Sequence, residues 1–158
     1  MNLYEINEET LALLPFEENK TKIIETDGEI IINKNPMKII DNSCKYFGSS
    51  YEGRFSGTKS LINISHKAPI IIEESRELIF FPTNSPRLFD CIWISLNNIR
   101  EYRKIDFNKT EIIFTNGSIL TLDISYGSLD NQILRSTRLN AVLSNRKKME
   151  KLKNNVKK

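Results

Sequence analysis

Histidine occurs once in this chain, at His66, and cysteine twice, at Cys44 and Cys91. No Cys-x-x-Cys and no paired-histidine spacing exists, so a structural or catalytic metal centre of the usual kinds is excluded and no metal is expected. A Cys–His nucleophile pair would have to draw on the same three residues, and no orienting acid accompanies them. Gly48-x-x-x-x-Gly53-Arg54 mimics the spacing of a phosphate-binding loop, but the Lys-Ser/Thr ending is missing and no strand precedes it. There is no Gly-x-Ser-x-Gly elbow. The carboxylates have no partnered general acid, so the chain is not expected to be an enzyme and no cofactor is expected. No apolar run approaches the roughly 20 residues that span a bilayer. Met1-Asn2-Leu3-Tyr4-Glu5 has no basic n-region or apolar h-region, which predicts a cytoplasmic protein that does not engage a membrane.

What the chain does have is segregated charge. Its 158 residues carry a net +3. Residues 1–30 hold eight acids against Lys20 and Lys22, and residues 31–72 hold six bases against Asp41 and Glu52. The last thirteen residues hold seven bases against Glu150. This pattern suits a protein that meets a polyanion on one side. It divides the chain into a single DNA-binding domain, 1–145, and a basic C-terminal tail, 146–158. The tail is either a solvated run or a phosphate contact. The acidic region is a solubilising face, a face that repels DNA and orients the protein, or a contact for RNA polymerase.

The expected fold is α+β, mainly one antiparallel β-sheet or a small barrel. Asp27-Gly28 and Asn116-Gly117 each predict a two-residue type I′ hairpin, joining 21–26 to 29–32 and 111–115 to 118–124. In the second hairpin that turn puts Phe114 with Ile119 on one face and Ile113 with Leu120 on the other. Residues 70–72, 78–81, 91–95 and 99–107 read as further strands. An internal helix is expected near 36–47. Asn35 is its cap, Pro36 its first residue and Gly48 its stop. Met37, Ile40, Cys44 and Phe47 make one apolar stripe, which predicts a buried Cys44 thiol. A C-terminal helix is expected near 128–153, with apolar residues thinning beyond Leu143.

Residues 43–58 hold Gly48, Gly53 and Gly57, interleaved with aromatics, hydroxyls and cations. Residues 48–58 form either a loop or a short helix capped through Ser49-x-x-Glu52. Either form sets backbone N–H groups beside Ser49, Ser50, Arg54 and Lys59, a combination able to hold phosphate. Lys45 and Lys67 complete the cations of this region. Tyr51 either contacts a phosphate or buries its hydroxyl. Arg135 and Arg138 fall one turn apart on the second helix, as a second phosphate-contact face or as surface ion pairs.

Ser43-Cys44-Lys45-Tyr46-Phe47-Gly48-Ser49-Ser50-Tyr51-Glu52-Gly53-Arg54-Phe55-Ser56-Gly57-Thr58 resembles a segment of the ComK family, bacterial transcription factors that switch on genes for DNA uptake. Ser65-His66-Lys67-Ala68-Pro69-Ile70, Phe80-Phe81-Pro82-Thr83-Asn84-Ser85 and Cys91-Ile92-Trp93-Ile94-Ser95 are similar to further family segments. Phe114-Thr115-Asn116-Gly117 and Ile124-Ser125-Tyr126 with Asn131-Gln132 continue the resemblance in order. It implies a DNA-binding activator that reads paired A-tract and T-tract boxes through the minor groove and assembles as dimers on them. Narrow A·T-rich minor grooves attract Arg and Lys without base-by-base readout. Better-known members carry an aromatic, proline-containing C-terminal segment recognised by a proteolytic adaptor. None is seen after Leu143, so the resemblance does not carry that adaptor over as a partner. A small β-rich module that binds RNA or an acidic protein is the alternative, and aromatics on an exposed sheet face would favour RNA.

Overall fold

The computed structural model describes residues 3–156. A six-stranded antiparallel sheet is built from β1 (Thr10–Pro15), β2 (Thr21–Glu25), β3 (Gly28–Ile32), β4 (Ile70–Glu73), β5 (Leu78–Pro82) and β6 (Trp93–Ser95). Its order is β3-β2-β1-β6-β5-β4. A second sheet of three strands, β7 (Ile99–Asp106), β8 (Lys109–Phe114) and β9 (Ile119–Leu122), forms an antiparallel meander. There are thus two open sheets rather than one sheet or a closed barrel. The helices are α1 (Pro36–Tyr46), α2 (Tyr51–Ile62) and α3 (Tyr126–Val156). No helix among the described residues is long and apolar enough to cross a membrane.

The large sheet is buried on both faces, and neighbouring residues in its strands divide between them. Leu13, Ile23, Phe80 and Trp93 face α1 and α2. Ala12, Phe81 and Ile94 face the second sheet and the start of α3. A third cluster joins Ile62 of α2 and Leu139 of α3 to Ile71 and Ile79. Burial on both sides explains why these strands read as near-continuous apolar runs rather than alternating ones.

Helix α1 forms as its ends predict. The Asn35 side chain accepts from the Lys38 N–H at 2.9 Å, and Gly48 (φ +88) lets the Ser49 N–H reach back to the Cys44 carbonyl at 2.9 Å. Cys44 is fully buried in the stripe as expected, and burial pushes its thiol up to about 12.

Both hairpin turns depart from the expected type I′. Glu25 pairs with Gly28, so the first turn is centred on Thr26-Asp27 and Gly28 opens β3 at φ +153. In the second, the Gly117 N–H bonds to the Phe114 carbonyl, and only Gly117 takes positive φ (+89). This is a tight turn followed by a glycine bulge. The extra residue slips the register by one, so Ile113 opposes Ile119 and Ile112 opposes Leu120. The faces therefore differ from the two-residue expectation. Ile112, Phe114, Leu120 and Leu122 face the core, while Ile119 is exposed.

Candidate nucleic-acid interface

Residues 51–62 are helical, despite Gly53 and Gly57. The cap is Ser50 rather than Ser49: Ser50 Oγ accepts from the Gly53 N–H at 3.0 Å. Gly53 sits where space is tight: a Cβ there would stand 3.0 Å from Ser49 Oγ and 3.3 Å from Ser50 Oγ. The Tyr51 N–H donates to Asp41 Oδ1 at 2.9 Å. That bond, with Lys45 at 3.0 Å, holds the Asp41 carboxyl below the ordinary range. A carboxylate and a serine hydroxyl of the chain thus already take two of the N–H groups at this helix start.

The cations of the α1–α2 junction are matched by acids. Lys45 pairs with Asp41 within α1. Arg54, on a firm helix rather than a pliable loop, pairs with Glu74 at 3.3 Å, and its side chain is only 18% exposed. The Tyr51 ring packs edge-on against Trp93, with centroids 6.3 Å apart, and burial raises its phenol pKa.

The cations around the middle of α3 are arranged differently. Helix α2 ends at Asn63 in a left-handed cap (φ +58), and the chain then runs back to β4 through His66 and Lys67. Arg135 Nη1 donates to the His66 carbonyl at 3.0 Å, and Gln132 Nε2 donates to the Lys67 carbonyl at 2.9 Å. Gln132, 1% exposed, also donates to the Pro82 carbonyl at 2.7 Å. One buried amide therefore pins the loop, the sheet and α3 together. Burying it is tolerable because its N–H bonds and its carbonyl are all satisfied, the latter by Arg135 at 3.4 Å. The result brings Lys67 and Arg135 into one patch with His66, and Arg138 stands one turn further along α3. Arg135 bonds to a carbonyl rather than forming the ion pair considered for it. Lys59 is exposed in the last turn of α2, the helix that packs on α3. Lys59, Lys67, Arg135 and Arg138 make no ion pair among the described residues.

Of the sequence-predicted residues, then, Lys45, Ser49, Ser50, Tyr51 and Arg54 gather at the α1–α2 junction. Lys59, Lys67, Arg135 and Arg138 belong to the α2–loop–α3 side. Sequence reasoning did not single out Gln132 as the tether; a polar residue among the buried positions of α3 is the signal that could have found it. The basic run after Asn145 is no separate tail in shape, since α3 continues through it to Val156. Lys157 and Lys158 of that run, and Met1 and Asn2, lie outside the described residues.

No solved structure matches the chain. Among curated proteins, the competence transcription factor of Bacillus subtilis (strain 168) is 42% identical over 146 residues, spanning 90% of this chain and 76% of that protein. The family described as ComK protein matches residues 1–148, the α1–α2 junction, the tethered loop and most of α3 included. This chain belongs to the ComK family.

Proposed function

We propose that the chain is a transcription factor that binds DNA and activates DNA-uptake genes, reading AT-rich promoter boxes largely through the minor groove and assembling with itself on them. The observation that carries this reading is the match along the chain to a competence transcription factor. The cations without acidic partners at Lys59, Lys67, Arg135 and Arg138 supply a surface for it. Cations already matched by acids gain less from a phosphate, because a salt bridge must be given up first. Lys45 and Arg54 accordingly act as a secondary rim, with Ser49, Ser50 and Tyr51 shaping the helix start between them. The chain works in the cytoplasm at the nucleoid.

One structural point weighs against the RNA-binding alternative. The outer face of the second sheet carries the cross-strand sets Glu101–Ile113–Ile119 and Arg103–Glu111–Thr121. It has no aromatic platform on which bases could stack.

The test is a salt-titrated binding assay comparing a duplex with A-tract and T-tract boxes against a scrambled, G·C-interrupted duplex of equal length. The expected result is a preference that survives physiological salt. Equal, steeply salt-sensitive binding to both would reduce the charge to a generic one. Lys59→Ala with Arg138→Ala should weaken binding more than Arg54→Ala does; the reverse order would move the surface to the α1–α2 junction.

A further inference from the structure

Helix α3 outruns the body it packs on. Leu143 is its last residue in a core cluster, and Lys147 Nζ, donating to the Glu74 carbonyl at 3.2 Å, makes its last bond to the rest of the chain among the described residues. Beyond that the helix continues to Val156 with every residue exposed. This stretch is not uniformly polar. Met149, Leu152 and Val156 recur at steps of three and four, so they form one apolar stripe, at 52%, 59% and 85% exposure. Lys148 and Lys153 flank the stripe. DNA phosphates would satisfy the lysines and leave the stripe in water.

The opposite end of α3 adjoins a cleft of about 990 Å³. Asp123 and Ile124, just before the helix, line it, as do the β1–β2 turn and the loop between β5 and β6. Leu88 and Phe89 of that loop are 52% and 91% exposed. The cleft carries the carboxylates of Glu17, Glu18, Asp90 and Asp123 against Lys20 and Arg87, and Lys20 is already paired with Glu17 at 3.2 Å. It is therefore apolar with an acidic excess, while the projecting end of α3 is apolar with a basic excess.

We propose that two copies of this chain pair by exchanging these parts: the distal turns of α3 in each copy dock in the acidic cleft of the other. Charge selects this arrangement over the simpler pairing of one α3 with another. Two distal helices side by side would face Lys148 and Lys153 with the same residues of the second copy, a repulsive contact, whereas the cleft supplies carboxylates. Geometry permits reciprocity. A helix of 31 residues spans about 46 Å, with the cleft at its start and the stripe at its end. Two such helices running antiparallel about a two-fold axis bring each stripe beside the other copy's cleft, and the assembly closes at two. The pairing requires no DNA, so it stands or falls apart from the DNA-binding reading.

Variants with one introduced cysteine test it. Phe89→Cys and Leu152→Cys replace exposed side chains, and the native thiols at Cys44 and Cys91 are buried. The variants are mixed without DNA under a mild oxidant and compared with each variant alone. The expected product is a disulfide-linked dimer that forms in the mixture at least about tenfold faster than in either single reaction. Faster linkage of Leu152→Cys to itself would establish α3–α3 pairing and overturn the proposal. Equal yields in all three reactions, or no linkage, would overturn it too. In sedimentation of the otherwise native chain, Phe89→Asp should weaken self-association by about tenfold or more, as removal of a central apolar anchor does. Unchanged self-association would remove the cleft from the interface. DNA binding of the reduced variants, measured separately, reports on the other reading.

Discussion

Neutralising lysines on the distal part of α3 should change the salt dependence of DNA binding by an amount that the helix limits. Each phosphate neutralised adds about 0.9 to the slope of log K against log salt. Residues 146–153 include Arg146, Lys147, Lys148, Lys151 and Lys153, for which simple counting would give a slope contribution of about 4.5. But α3 is helical there, and successive residues turn by about 100°. Lys147, Lys148 and Lys151 then share an arc of about 100°, while Arg146 and Lys153 lie together on another side. A straight duplex can meet one of these sets, so three lysines at most contribute, about 2.7 in slope. The assay is fluorescence anisotropy on an A-tract duplex across a salt series. Lys147→Gln, Lys148→Gln and Lys151→Gln are combined in one variant, Arg146→Gln and Lys153→Gln in another. Lys147 and Lys151 lie on the side of α3 away from the Met149–Leu152–Val156 stripe and are not used in the proposed docking. The first variant should therefore lose about 1.8 to 2.7, and the second, whose Arg146 and Lys153 lie nearer the stripe, almost nothing. Comparable losses from both would refute the helical-face reasoning and mean that α3 reshapes around the phosphates. No loss from either would mean that this part of α3 does not touch DNA.

Gly57 has nothing within 4 Å of an added Cβ, so Gly57→Ala should stabilise the fold by about 1 kcal/mol, read as a higher urea midpoint. Gly53→Ala should gain less or lose, because Ser49 Oγ would stand 3.0 Å away. Burial also disfavours the Glu73 carboxylate, but bonds from Ser75 and Arg76 outweigh it and hold the pKa down to about 2, against an ordinary 4.5. Its folded value is depressed, so its contribution is full above pH 4.5 and is lost as the pH falls towards 2. Glu73→Gln should flatten the acid side of the stability profile, and an unchanged profile would assign acid sensitivity elsewhere. Burial lifts Cys44 to about 12 and Cys91 to about 11, so both thiols should resist a thiol reagent until the protein is unfolded. Cys44→Ser should cost a few kcal/mol in denaturant unfolding, and unchanged stability would place that thiol at the surface.

Local chemistry was legible and non-local chemistry was not. Helix α1 could be read because Asn35, Pro36 and Gly48 act within a turn of the ends they define. The presence of strands β2, β3, β8 and β9 was legible, but the register of β8 against β9 was not. An Asn-Gly pair is compatible with both a two-residue turn and a bulged one, and only packing on the core decides. Strand β1 escaped notice because Thr10–Pro15 is buried on both faces, which leaves Leu11, Ala12, Leu13 and Leu14 without alternation. In α2 the glycines left a loop and a short helix both open, and the cap fell one residue on, at Ser50 rather than Ser49. Charge segregation pointed to a polyanion surface, yet it could not tell matched cations from unmatched ones. The acids that neutralise Lys45 and Arg54 come from Asp41 and Glu74, and the latter is 20 residues away. The link from Arg135 to His66 spans 69 residues.

The buried amide of Gln132 bears on kinetics as well as architecture. A loop that must become ordered when it meets its target slows productive encounter and spends part of the gross interaction on lost freedom. Here the loop through Lys67 is already clamped before any partner arrives. Its charges should therefore engage at a rate set by diffusion and electrostatic steering rather than by local refolding. Removing the clamp, while leaving every surface charge in place, would surface first as slower association.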